Sequence, residues 1–166
     1  MEQIDEKTFA QLARLAGFGR TGFCSAVAFT AEWKAVERGP EIAERRQLRF
    51  DPTADDPRTK SIAVMLWPYV PAAQEEDGCV FVDGYYFASN AAYHAARALE
   101  AQLTEAGHFA KANVSYPARE AALRAGMGVI GQNGMLITPE YGSRFVIILM
   151  ATDIVHTAPD CGEHGG

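Results

Sequence analysis

No stretch of this chain is apolar for long enough to cross a bilayer. The longest run, Phe145 to Ala151, is far short of the roughly 20 residues that a spanning helix needs. The opening Met-Glu-Gln-Ile-Asp-Glu-Lys is acidic and polar, which does not suit a signal peptide. Cysteine is scarce: Cys24, Cys79 and Cys161 are odd in number and widely spaced, so they form no disulfide framework and suit a reducing compartment. Excess positive charge is also absent. The net charge of −6 lowers the expectation of nucleic-acid binding, and the one basic cluster, Arg45, Arg46 and Arg49, reads as a solvated helix face. The catalytic signatures of hydrolases, zinc proteases and P-loop enzymes do not occur. These absences point to a cytoplasmic protein without a metal centre or catalytic triad of its own.

What is present is ordinary globular composition, 48% hydrophobic and 22% charged, over 166 residues, enough for one domain with a real core. Ile4, Phe9, Leu12, Ala13 and Ala16 recur at helical spacing, and Gly17 stops that helix. Arg20 to Ala28 reads as a short buried strand, and helices are expected over 30–37 and 40–48. Asp51-Pro52 and Asp56-Pro57 bracket a turn-rich connection. Ser61 to Trp67 is nearly all apolar and predicts a central strand covered on both faces. A polar loop over 72–84 follows. The longest helix is expected from Asn90 to Ala106, capped by Ser89 or Asn90 and closed by Gly107. A strand over 108–114 and a helix over 117–125 come next. Gly134 to Thr138 and Arg144 to Thr152 read as two strands of an antiparallel hairpin around Pro139-Glu140-Tyr141-Gly142. This order predicts a layered α+β sandwich in a single domain.

The densest local signal is Ala125-Gly-Met-Gly-Val-Ile-Gly-Gln-Asn-Gly134, with four glycines in nine residues from Gly126 to Gly134. Glycine there permits positive φ and close backbone approach. A dinucleotide fingerprint needs a strand before and a helix after, and here the order is reversed. The exposed amides of such a turn can contact a ligand, or the segment can be a tight turn and no more. Gln132, Asn133, Thr138, Tyr141, Ser143 and Arg144 add polar groups of the kind that orient a large, mostly apolar ligand. Tyr93 and His94 follow Tyr85, Tyr86 and Phe87 on the long helix, and Arg119 and Glu120 open the next one. At the tail, Cys161-Gly-Glu-His164 has the spacing of half a metal site, too few ligands for zinc or a cluster.

Taken together these residues resemble the N-terminal domain of the epoxyqueuosine reductase family and its uncharacterised iron–sulfur relatives, with the relatives the closer match. The likeness runs through Leu12-Ala-Arg-Leu-Ala-Gly-Phe18 and Thr21-Gly22, Arg49-Phe-Asp-Pro52 before Lys60-Ser-Ile-Ala-Val, Tyr85-Tyr86 and the Tyr93-His94 pair. It is strongest from Arg119 to Asp153, where Ala-Gly-Met-Gly, Ile-Gly-Gln-Asn and Tyr-Gly-Ser match the family's run. That stretch is therefore the expected ligand-handling heart of the domain. The resemblance implies a fold related to flavin nitroreductase-like and corrinoid-reductase domains, spanning 1–155. It implies a bound cobalamin, held through Tyr93, His94, Arg119, Gly128, Gly131, Gln132, Asn133, Tyr141 and Ser143. In relatives a ferredoxin-like domain with two 4Fe-4S clusters begins where residues 156–166 lie here, and feeds electrons to the corrinoid.

Two departures from the family pattern qualify this expectation. The family's reductases have an aspartate before a proline and an arginine, taken as the proton donor. That position falls on Ala112 when aligned from Gly126 and Arg119, or on Val114 when aligned on Pro117, and neither can donate a proton. Tyr93, His94, Tyr116 and Glu120 are the acids left as candidates. The cysteines for 4Fe-4S clusters are not encoded in this chain, so the sequence is either a piece of a longer protein, a chain that has lost its electron-transfer half, or one served by a separate iron–sulfur partner. Three readings stay open: a cobalamin-dependent reductase domain, a non-catalytic corrinoid or small-molecule carrier, and a flavin (FMN) binder. A homodimer is compatible with all three.

Overall fold

The computed structural model describes residues 4–29, 49–70 and 82–161. The helices expected over 30–37 and 40–48, Cys79 and most of the 72–84 loop lie outside the described residues, as do Glu163 and His164. The first helix, α1 (Glu6–Leu15), starts at Asp5, whose carboxylate accepts from the Thr8 amide at 2.7 Å. It ends where Gly17 takes φ +110°. Strand β1 (Arg20–Ser25) is shorter than expected, and Asp51 caps a single helical turn, α2 (Pro52–Asp55), inside the proline-rich connection.

Four strands form one sheet in the order β1, β2 (Ser61–Pro68), β6 (Phe145–Thr152) and β3 (Ala110–Ala112), every neighbour antiparallel. Its centre is β2 against β6, paired from Ser61 with Thr152 to Pro68 with Phe145. Both are buried on both faces, as the unbroken apolar run of β2 predicts. Their alternating residues feed two separate cores. Ala63, Met65, Val146, Ile148 and Met150 pack under α1 and α3 (Gly84–Glu105), against Phe9, Ala92, Ala96, Leu99 and Leu103. Ile62, Val64, Leu66, Leu149 and Ala151 pack on the other face against Cys24, Tyr116, Ala121, Ala122 and Met127, under α4 (Ala118–Arg124). The α+β layered architecture is thus the observed one.

Three expectations are corrected. The long helix begins at Gly84, not Asn90, because the Asp83 carboxylate accepts from the Tyr85 amide at 2.7 Å and caps it there. Tyr85, Tyr86 and Phe87 are exposed on that first turn, so no buried apolar period marks it in the sequence. The strand expected over 108–114 is only β3 (Ala110–Ala112), closed by Asn113 in the left-handed region at φ +56°. The hairpin expected between 134–138 and 144–152 does not form. Instead β5 (Leu136–Ile137) turns back on β4 (Val129–Ile130) in a separate two-stranded sheet, while β6 joins β2 and β3. The amide of Thr138 donates to the Gly142 carbonyl at 2.8 Å and the reverse bond is 2.9 Å, so the 139–142 turn closes on itself and releases the chain into the main sheet.

Glu120 and Arg124 form a buried ion pair at 2.5 Å on α4. The Arg124 guanidinium also donates to the Val27 and Ala28 carbonyls at 2.9 and 3.1 Å and lies over the Phe29 ring. Removing one member of such a pair strands a charge in the core. Glu120→Ala is therefore expected to lower unfolding free energy by about 3–5 kcal/mol in urea denaturation, and Glu120→Leu with Arg124→Met to restore much of it. Equal loss in the single and double variants would refute that account.

Candidate functional site

The C-terminal end of β2 and the N-terminal end of β6 open onto two adjoining grooves. One, about 600 Å³, is lined by Tyr69, Asp83, Tyr85, Tyr86, Asn90 and Tyr93. The other, about 390 Å³, is lined by Pro68, Tyr69, Glu140, Tyr141 and Arg144. Tyr69 belongs to both. Its amide donates to the Arg144 carbonyl at 3.1 Å, and its ring meets Tyr85 edge-on at 5.8 Å. Five of the chain's six tyrosines line these grooves, which makes tyrosine the residue type that marks this end of the sheet.

Beside the second groove stands the small β4–β5 sheet. It presents Val129, Ile130, Met135 and Ile137 to solvent, with Val129 53% exposed. Scattered single apolar residues on a surface are normal, but Val129 and Ile137, paired across the ladder, with Met135 two residues before Ile137, share one side of the hairpin and make a contact face. Its glycines divide by role. Gly126 and Gly134 take φ +63° and +74°, whereas Gly128 is needed for close approach to backbone and Gly131 leaves room for the Ile137 side chain. A Cβ on Gly128 would collide with the Ile137 carbonyl, and one on Gly131 would stand 2.7 Å from Ile137 Cδ1. Arg119 Nη1 donates to the Gly134 carbonyl at 2.6 Å, tying the hairpin tip to α4. At the root, Arg20 donates to the carbonyls of Met127 and Gly126 at 3.0 and 3.2 Å and pairs with Glu140 at 3.0 Å.

The nine residues expected to hold a cofactor therefore fall into three groups. Tyr93 and Tyr141 line the grooves, and His94 lies outside their lining with its ring edge-on to Tyr93 at 5.5 Å. Gly128, Gly131, Gln132, Asn133 and Arg119 build the hairpin. There the Asn133 side chain accepts from the Met135 amide at 3.1 Å, and Gln132 is exposed at the tip. Ser143 is half-buried between the 139–142 turn and β6. Sequence reasoning named Arg144 among the ligand-orienting polar groups but left Tyr69, Tyr85, Tyr86, Asp83 and Glu140 out of the site, and Arg20 as the hairpin's clamp. The density of tyrosine was the signal that could have found the first three; nothing local marks Arg20.

The candidate acids separate clearly. Tyr116 is buried, stacked on Phe29 at 5.8 Å, and burial together with the negative Asp55 pushes its hydroxyl well above the usual phenol range. Glu120 is committed to Arg124. Tyr93 and His94 remain exposed on α3, and the Asn113 side-chain amide donates to the Tyr93 carbonyl at 3.4 Å. Asn113 thus links α3 to the Ala112–Val114 stretch. It is the only non-glycine with positive φ among the described residues, a backbone state that asparagine tolerates better than most. No group of three or more metal-ligating side chains occurs among the described residues, and no described helix is long and apolar enough to cross a membrane.

No family model and no curated protein sequence matches the chain. Solved structures do. An epoxyqueuosine reductase bound to an epoxyqueuosine-modified tRNA-Tyr stem loop matches with a TM-score of 0.72 and 21% identity, over 96% of this chain and 48% of that one. Epoxyqueuosine reductase from Bacillus subtilis, with its catalytic loop swung out of the active site, matches with a TM-score of 0.73 and 21% identity, over 97% and 48%. A reductive dehalogenase, whose structure suggests a mechanism for B12-dependent dehalogenation, matches with a TM-score of 0.67 and 16% identity, over 100% and 22%. At these identities the likeness is one of fold. The chain spans about half the length of the epoxyqueuosine reductases, at 48%, and about a fifth of the dehalogenase, at 22%.

Among the described residues no cysteine lines the two grooves. Burial, with Asp160 adding to it, raises the Cys24 thiol from 9.0 to about 12, whereas Cys161 is exposed. A raised value means that the folded state holds a proton the unfolded thiol releases, so stability falls as pH rises from about 9 towards 12. In a Cys79→Ser background, iodoacetamide at pH 8 is expected to label Cys161 within minutes and Cys24 only after denaturation. Labelling of both at the same rate in the native protein would contradict this.

Proposed function

We propose that this domain is the corrinoid-holding part of a reductase whose electrons come from an iron–sulfur domain or partner. What carries the reading is the open, tyrosine-lined end of the sheet with an apolar hairpin beside it, in a fold shared along nearly the whole chain with epoxyqueuosine reductases and a B12-dependent dehalogenase.

The residues present fit such a group. A corrin is broad, flat and largely apolar, with a fringe of amides, and sites for ligands of that kind combine apolar walls with a few orienting polar groups. Val129, Met135 and Ile137 offer the apolar wall. Gln132, Asn133 and the hydroxyl of Tyr141 offer hydrogen bonds, the Tyr93 ring offers a flat contact, and Arg119 and Arg20 hold the hairpin in place from its two ends. Cobalamin, when bound, would supply the low-potential cobalt chemistry that no side chain provides. The chain's own contribution is placement, exclusion of water and a proton. That proton is best assigned to Tyr93, which lines the groove, with His94 against its ring; Tyr116 and Glu120 are taken up by the core.

Incubation with hydroxocobalamin followed by size-exclusion chromatography is the direct test. A red protein fraction with a shifted visible band is expected, and free cobalamin eluting apart with an unchanged spectrum would remove the proposal. Val129→Asp with Ile137→Asp should weaken binding by about tenfold or more, since it puts charge where apolar surface would be buried. Tyr93→Phe should leave the affinity within about twofold, because the ring and its contacts remain.

A further inference from the structure

Among the described residues that line the two grooves, one charge is unpartnered, and it is positive. Arg144 stands exposed in the smaller groove, and its guanidinium has no ion pair or hydrogen bond among the described residues. The carboxylates nearby are already engaged. Glu140 is held by Arg20 at 3.0 Å, and Asp83 caps α3, where the positive end of a 22-residue helix offsets it. Next to Arg144 tyrosines recur along the lining of both grooves. The Arg144 carbonyl takes the Tyr69 amide, Tyr69 meets Tyr85 edge-on, and Tyr86 and Tyr93 complete the larger groove.

A wall of tyrosines favours flat rings, which it can meet by stacking or edge-on contact. A free guanidinium at one end favours a planar or tetrahedral oxyanion, which it can grip with two parallel N–H bonds. We infer that these grooves form one binding site for an aromatic ligand bearing a carboxylate or a phosphate, with the ring among Tyr69, Tyr85, Tyr86 and Tyr93 and the oxyanion on Arg144. The inference rests on the proposed function only in taking this ligand as the substrate of that site. Binding itself needs no corrinoid.

The apoprotein, without cobalamin, is titrated calorimetrically with 2-naphthoate, 2-naphthyl phosphate and, as the uncharged control, 2-naphthol. The two anions are expected to bind at least about tenfold more tightly than the control, the strength of a hydrogen bond to a charged group. Preference for one anion over the other tells a carboxylate ligand from a phosphate one. Arg144→Gln should remove the advantage of the anions and leave 2-naphthol unchanged. Tyr86→Ser should weaken all three alike. Arg144 and Tyr86 are both exposed, so neither substitution threatens folding, and an unaltered melting temperature verifies this. Equal affinity for 2-naphthol and the anions, or anion binding that survives Arg144→Gln, would overturn the inference. The cobalamin titration is read separately in the visible range, so failure of one proposal leaves the other standing.

Discussion

Everything in this domain hangs on the antiparallel pairing of β2 with β6. The two strands share eight paired positions, and their side chains alternate between two cores that do not touch. Because each strand is covered on both faces, a shift of one residue in register would exchange the two cores wholesale, sending Met65 and Met150 under α4 and Leu66 and Leu149 under α3. The register is therefore held from both sides at once. So, in consequence, is the place where the strands end, and that end is where the tyrosine grooves lie.

The hairpin depends on the same pair at one remove. Its strands are two residues each, far too short to stand alone in water. It stays in place because Leu136 and Met127 are buried in the core beneath α4, because Arg119 and Arg20 hold its tip and root, and because its last turn closes on Thr138 before the chain enters β6. Ordering by long-range clamps leaves its outer face free of packing duties. That explains how four apolar side chains can stand exposed without loosening the structure.

What could be read from sequence followed from burial. The β2 run, the first helix and the α4 segment show in the apolar pattern, since each buries a face of fixed period. What could not be read lies where conformation is set by tertiary contacts. The first turn of α3 carries exposed aromatics and is started by one aspartate, so a helix there looks like loop. The β4–β5 pairing was missed because a local hairpin and a long one use the same residues, and the choice between them depends on β6 preferring the company of β2 and β3. For the site, the glycine-rich segment and Tyr93 stood out through their motif. Tyr69, Tyr85 and Arg144 gather only when strand ends and a helix start are brought together, and no spacing along the chain announces that.

The division of labour among the acids bears on how the proposed reaction would be run. A proton donor on a mobile loop can be presented and withdrawn, but here the loop positions are Ala112 and Val114, and Asn113 between them is tied back to α3. Tyr116 and Glu120, nearest along the chain, have been drawn into the core, where burial disfavours ionising the Tyr116 hydroxyl and Glu120 is committed to Arg124. A donor on α3 is of another kind. Tyr93 sits on a helix whose opposite face is packed under the sheet through Ala92, Ala96 and Leu99, so its position is fixed before any ligand arrives. On the proposed reading, then, this chain exchanges a movable acid for a preorganised one. It gives up gating of the proton and gains a hydroxyl on the lining of the larger groove, next to the one that Arg144 would load.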